Sequence, residues 1–357
     1  MLIRRLILWT ASASVVFFVV TTTGAFAQDF TFTIHHFLSP KAPAQKVLIE
    51  PWAKKIEAES GGRIKFEIFP SMSMGGKPPE LYKQVRDGVA DIVWTVPGYT
   101  PGVFPRVEVF ELPGVHNGDA KATNLAIQDM MEDIATDLKN IKPLLIHVHA
   151  GNALHTVSKE IQSFEDVKGL KLRSPSRTGA WMVESWGAEP VGMPVPALPQ
   201  ALSKKAIDGA LIPFEVAIPL KVIELANFSV EMDGGERFGT ATFMFAMNQN
   251  SFDSLPDDLK KIIEDNSGAA IASEIGDAWN NIEPLGMKLA TDKGKSVPQL
   301  SSAESTKFSA ANDAVVERWI DENNVLQGAQ VSVSVFDLKK QKFKLTYRSD
   351  KNILPAS

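Results

Sequence analysis

The chain has 357 residues, 37 Lys and Arg against 42 Asp and Glu, a formal charge of −5 and no cysteine. Without thiols there are no disulfide staples, iron–sulfur clusters or Cys-type zinc sites. The mild acidic excess, with no Lys/Arg block, argues against a nucleic-acid partner, and a chain this long can bury a large core, usually divided between two domains.

Arg4 and Arg5 precede an apolar run from Leu6 to Val20, and "GAFAQ" places small residues at Ala25 and Ala27. A charged n-region, an apolar h-region and an A-x-A site make residues 1–27 a signal peptide cut after Ala27. A retained anchor fits less well, because the run is short and broken by Thr10, Ser12 and Ser14. Loss of the two arginines takes the mature chain to about −7, and an exported, soluble protein is expected.

Beyond the leader, strand and helix signals alternate. "FTFTIHHF" (30–37) reads as a strand and "VLIEPWAKKIEAES" as an amphipathic helix stopped by Gly61 and Gly62. "RIKFEIFP" puts Ile64, Phe66 and Ile68 on one face of a strand. "PPELYKQVRDG" predicts a short helix, "ADIVWTV" a strand, 119–140 a helix and "PLLIHVHA" a strand. The rhythm repeats through "LKLR", a helix over 176–187, "PVGMP", a helix over 197–205, "DGALIP" and a helix over 214–226. "TATFMFAMN" predicts a buried strand. "LPDDLKK" opens a long helix with Pro256 in its first turn and a kink near Pro284, and a further helix covers about 301–323. In the tail "QVSVSVFD" alternates like a strand, whereas "LKKQKFKL" fits either state. Such alternation predicts an α/β protein with mostly parallel sheets in two lobes, divided near residue 150.

In open parallel sheets ligands sit beyond the carboxyl ends of the strands. That rule selects "HHFLSP", "PSMSMGGKPP", "WTVPGYTPG", "RSPSRTG", "GMPVP" and "IPFE", all rich in Gly, Pro or aromatic residues. Arg173, at the end of a strand and before a Ser/Pro turn, offers a rigid fork that matches a carboxylate; the alternative is a structural ion pair with the other lobe. Arg177 is expected to face solvent. Of the six histidines, His35, His36, His147 and His149 fall near strand ends, with His155 close by. His147 and His149 have a spacing that can hold zinc, but no supporting motif lies nearby, and a hydrogen-bonded role at hinge or cleft is expected instead. His36 is a candidate ligand contact. Trp94, Tyr99 and Phe214 are either cleft walls or core. Glu215 either accepts a ligand hydroxyl, joins a cation beside a bound acid, or starts a helix favourably. Gly75, Gly76 and Lys77 lack the spacing of a phosphate loop, and no hydrolase elbow, zinc-protease, dinucleotide or deaminase motif is present.

"EPWAKKIEAESGGRIKFEIFPSMSMGG" followed by "LYKQVRDGVADIVW" resembles the first lobe of the solute-binding proteins of TRAP (tripartite ATP-independent periplasmic) transporters. "SFEDVKGLKLRSP", with "WGAEPVGMPVPALPQALSKKAIDGALIPFE", resembles the second lobe, and "MNQNSFDSLPDDLKKII" the crossover back. The resemblance spans about 30 to 325. It implies a two-lobed periplasmic binding protein fold with a long hinge-spanning helix, lobe I from 28–150 plus 238–280 and lobe II from 151–237 plus 281–357. It further implies a periplasmic receptor, not an enzyme, that closes on a small organic acid and delivers it to the permease subunits of a TRAP transporter.

Arg173 occupies the position of the family's carboxylate-binding arginine. The family's polar contact after "V-D-G" falls in "ALIPFE", where Phe214 and Glu215 replace the usual Asn. Val195 follows Met193 and Pro194 where a cleft aromatic is common, and Asn152 or His155 stands in place of a second arginine. One arginine instead of two favours a monocarboxylate. Trp94, Phe214, Met193 and Met244 would accept an apolar or aromatic body, with the opposing wall formed around His36, Gly75 and Trp94. No cofactor is implied, a cation beside the ligand is not indicated, and monomer and dimer both stay open. An exported enzyme acting on small organic acids and a ligand receptor serving a sensor protein are the alternatives.

Overall fold

The computed structural model describes residues 30–323 together with the short strands Ser334–Asp337 and Lys342–Lys344. The signal peptide expected over 1–27 lies outside these residues. Apart from the tail hairpin, the strands are β1 (Phe30–His36), β2 (Ile64–Phe69), β3 (Ile92–Thr95), β4 (Ile141–Val148), β5 (Ala153–Thr156), β6 (Lys171–Ser174), β7 (Glu189–Gly192), β8 (Gly209–Ile212), β9 (Phe228–Val230) and β10 (Thr242–Asn248). They form two five-stranded sheets, ordered β2-β1-β3-β10-β4 and β7-β6-β8-β5-β9. Each belongs to one lobe of an α/β architecture.

The sheets are mixed rather than mostly parallel. β1 lies parallel to β2 and β3, and β6 parallel to β7 and β8, as helical crossovers require. β10, however, is antiparallel to β3 and β4, and β5 is antiparallel to β8 and β9. The cause is the double crossing of the chain. β4 runs out of the first sheet into β5, and β9 leads back into β10, so β5 and β10 each start at the cleft and run away from it. The crossing segments bond to each other: Asn152 N–H donates to the Gly239 carbonyl (2.8 Å), and Phe238 N–H to that of Asn152 (2.9 Å). β5 and β9, only four and three residues long, carry no periodic signal in the sequence.

The helices follow the predicted order but break more often. The stretch 119–140 divides at Met130 after the helix Ala120–Asp129, and 214–226 divides around Lys221, whose φ is 57°. The long helix also differs from expectation. Pro256 precedes a first segment, Asp257–Asp265, the break falls at Gly268 (φ 56°, ψ −126°), and Ala269–Asp292 then runs unbroken through Pro284. The second lobe grips this helix on both sides of the proline, at Glu283 and Gly286. In the tail, Ser334–Asp337 and Lys342–Lys344 pair as an antiparallel hairpin, so the ambiguous segment contributes a strand.

The 24-residue helix Ala269–Asp292 touches both lobes closely enough to demand glycine. A Cβ on Gly276 would lie 2.3 Å from the Lys121 Cα of the first lobe, and one on Gly286 would lie 2.7 Å from the Phe214 Cβ of the second. Trp279 and Glu283 lie between those two contacts, which are about 15 Å apart along the axis. Because backbone cannot yield as a side chain can, Gly276→Val is expected to cost about 1–3 kcal/mol or more. That would lower the thermal midpoint by several degrees; an unchanged midpoint would show that the helices do not meet here.

Candidate functional site

Between the lobes lies a cavity of about 440 Å3, part of it open to solvent. Its walls come from strand ends on both sides: Phe37 and Leu38 after β1, Trp94, Val96 and Tyr99 from β3 onward, Arg173 and Pro175 at β6, and Ile212, Pro213 and Glu215 after β8. Parallel strands deliver their carboxyl ends to the same edge, which is why two separate sheets can converge on one crevice.

Arg173 is held by backbone. Its Nε donates to the Met193 carbonyl and one terminal nitrogen to the Leu211 carbonyl, both at 3.0 Å. The side chain is 2% exposed, and among the described residues it has no ion-pair partner. Burial lowers its basicity while the neighbouring Tyr99 hydroxyl counteracts that, and a guanidinium stays charged in any case. Two of its donors are spent on fixing its direction, another interacts with the Tyr99 hydroxyl, and the residue lines the cavity. The hydroxyl of Tyr99, a first-lobe residue, accepts from Val195 N–H of the second lobe (2.9 Å).

Aromatic rings form the first-lobe wall. Trp94 stacks on Phe243 (4.7 Å, 13°) and on Phe37 (5.1 Å), with Tyr99 tilted against Phe37 (5.5 Å). The Trp94 indole donates to His147 Nε2 (3.0 Å) and is thereby locked in the sheet. His149 lines the cavity with both ring nitrogens facing backbone N–H groups, those of Gly151 and Ala241. Burial disfavours a protonated ring, as do the neighbouring His116, His147, Arg237 and Arg173, and its pKa falls well below the usual value.

The lobes are tied beside the cavity. Arg177 forms a forked pair with Glu108 (2.6 and 3.0 Å), reaches Glu322 and lies over the Trp181 ring. It is not the solvent-facing residue expected, because Glu108 of the other lobe is buried against it. Glu111 accepts from Thr242 N–H (2.8 Å) and from the Thr178 hydroxyl (3.1 Å), one from each lobe. At Gly98 an added Cβ would stand 2.6 Å from the Ser176 Cβ across the crevice.

Of the sequence-predicted contacts, Arg173, Trp94, Asn152 and Glu215 line the cavity. His36, Gly75, Phe214 and Met193 do not, and each has a structural reason. His36 is buried and bonded to Gln45 (3.0 Å). Gly75 serves a turn with φ 92°. Phe214 faces the second-lobe core, edge-on to His155 (4.8 Å), while Met193 acts through the carbonyl that holds Arg173. Met244 is core. His155, bonded to Ser229 and the Ile212 carbonyl, is also core, so Asn152 alone faces the cleft at the position of a second arginine. Zinc finds no site: among the described residues no group of three His, Asp or Glu could hold a metal ion. Phe37, Phe243 and Trp279 were missed. The first adjoins a predicted loop, whereas nothing in a buried strand or a long helix marks the other two.

The family model for bacterial extracellular solute-binding proteins, family 7, matches residues 34–323, and the chain belongs to that family, the solute-binding proteins of TRAP transporters. A marine metagenome TRAP solute-binding protein specific for aromatic acid ligands, solved with 3-hydroxybenzoate, is 42% identical. The match covers 84% of this chain and 93% of that one, with a TM-score of 0.81. A TRAP solute-binding protein of Rhodoferax ferrireducens, solved with copurified benzoate, is 41% identical over 83% and 92% of the two chains, with a TM-score of 0.80. The curated protein TsaT of Comamonas testosteroni, described as an outer membrane transporter protein, is 26% identical over 82% of each chain. The family and these neighbours are solute-binding receptors rather than enzymes.

Glu111 gives the joined lobes a pH signature. Burial pushes its carboxyl up to about 7 against the bonds that favour its charge. The folded chain therefore holds this proton more tightly than the unfolded chain, and the resulting stability is complete below about 4.5 and lost as pH rises through 7. Relative to Glu111→Gln, the unaltered protein is expected to lose roughly 1–3 kcal/mol between pH 5 and 8. Denaturant melts of both proteins across that range check this; a constant difference would refute it.

Proposed function

We propose that this chain is an exported periplasmic receptor that captures an aromatic monocarboxylate between its lobes and delivers it to TRAP permease subunits. The observation that carries this reading is Arg173, a buried guanidinium with no ion-pair partner among the described residues, in a cavity also walled by Trp94, Phe37, Tyr99 and Phe243. A carboxylate would take the free donors of the fork, and a flat apolar ring would fill the aromatic wall. One arginine, with Asn152 where a second would stand, suits one carboxylate rather than two. The ligands bound by two neighbours above 40% identity, 3-hydroxybenzoate and benzoate, have this form.

Mechanically, the lobes 28–150 plus 238–280 and 151–237 plus 281–357 would open and close about the crossings near Asn152 and Phe238. A ligand touching both lobes stabilises the closed arrangement. Arg173 supplies the charged pole from the second lobe, and the aromatic stack supplies the wall from the first.

Calorimetry with benzoate and 3-hydroxybenzoate tests the clamp. Arg173→Ala is expected to weaken binding at least about 30-fold, since truncating one partner of a buried charge pair costs about 2–5 kcal/mol. Unchanged affinity with folding intact would remove Arg173 from the site. Gly98→Val tests closure separately. Its overpacking of about 1–3 kcal/mol falls only where the lobes meet, so affinity drops roughly 5- to 150-fold with little change in thermal midpoint. Equal affinity would mean that binding does not bring Gly98 against Ser176.

A further inference from the structure

Besides Arg173, the cavity has a second polar pole. Glu215 and Trp279 both line it, at 4% and 1% exposure. Glu215 opens the short helix Phe214–Ala217, and its backbone N–H is anchored on Glu283 (2.9 Å). Its carboxyl, though, has no ion-pair partner among the described residues. Arg237, the nearby cation, is already engaged by Glu231 and Glu283. The Trp279 indole N–H points toward the Glu215 carboxyl and favours its charge as a hydrogen-bond donor, but the approach falls short of full hydrogen-bond geometry, and the buried N–H has no other acceptor among the described residues. Arg173 and Glu215 both line the cavity and form no ion pair with each other.

A buried donor beside a buried carboxyl, joined by no bond of full geometry, is costly until something completes both. A hydroxyl does so in one atom, accepting from the indole and donating to the carboxyl. A methyl or hydrogen at that place completes neither. A ring ether satisfies only the indole. Burial and the adjoining Glu283 carboxyl hold Glu215 well above the ordinary carboxylate range, so it can accept through its carbonyl oxygen without a second negative charge next to Glu283.

We propose that Glu215 and Trp279 together read a ring hydroxyl, so that this receptor prefers hydroxylated aromatic monocarboxylates to unsubstituted ones. The inference rests on the aromatic-acid reading above and narrows it. Related receptors are solved with benzoate in one case and 3-hydroxybenzoate in another, so the fold itself does not require the hydroxyl.

The test compares benzoate, 3- and 4-hydroxybenzoate and the near-isosteric 3- and 4-methylbenzoates by calorimetry. For the unaltered protein, at least one hydroxybenzoate is expected to bind about tenfold or more tightly than its methyl counterpart. Glu215→Leu should abolish that advantage, so that each hydroxybenzoate and its methyl counterpart bind within about threefold of each other. Glu215→Gln, whose amide oxygen still accepts, should keep most of it. The inference is overturned if hydroxy and methyl acids bind the unaltered protein equally, or if Glu215→Leu weakens every acid alike. Should Glu215→Leu fail to fold, the ligand ratio of the unaltered protein and the Glu215→Gln variant still decide. Benzoate binding with no hydroxyl advantage defeats this inference alone; no binding by any benzoate defeats the aromatic-acid reading as well.

Discussion

A buried positive charge with no negative partner among the described residues is the constraint on which this structure turns. Removing an ion from water costs several kcal/mol even after relaxation, and Arg173 cannot escape by giving up its proton. Its anchors are neutral carbonyls, those of Met193 and Leu211, which aim the fork without cancelling it. A protein whose task was only to stay folded would gain by replacing such a residue with an apolar one or pairing it. Under the proposed function, what offsets the cost arrives from outside, as an anion small enough to lie between the lobes.

The fold supplies the setting. Two sheets present strand ends to a common crevice, and the chain crosses between them at Asn152 and again at Phe238. The 24-residue helix Ala269–Asp292 lies along both lobes, seated on each through a glycine, and carries Trp279 into the cavity wall between those seats. Contacts across the crevice (Glu108 with Arg177, Glu111 with Thr178, Tyr99 with Val195) share a design in which buried or half-buried groups of one lobe complete those of the other. Parting the lobes would leave Glu108 and Glu111 unpaired but free to hydrate, so these ties set the balance between arrangements rather than the stability of either lobe.

Most element positions were legible along the chain because their signals are local. Alternation marked β1 and β2, a proline and a glycine pair bounded the helix Glu50–Glu59, and the strand-turn-helix pattern put Arg173 at a carboxyl end. The candidates that fall outside the cavity wall share one feature. His36, Gly75, Phe214 and Met193 were placed by nearness to a strand end, yet a residue at a strand end points either into the crevice or into its own lobe. One step along the chain separates Phe214, in the core, from Glu215, in the cavity wall.

By itself, then, the sequence determined an α/β chain in two lobes, its family, the absence of thiol chemistry and an arginine at a strand's carboxyl end, since composition, periodicity and turn chemistry are properties of short segments. Only the tertiary structure decided that β5 and β10 run against their neighbours, that Arg177 is spent on Glu108, and that Phe243 from a buried strand and Trp279 from a distant helix share a wall with Trp94. Those facts depend on which segments meet when both lobes pack around a single helix, and no local signal records a meeting between residues nearly two hundred positions apart.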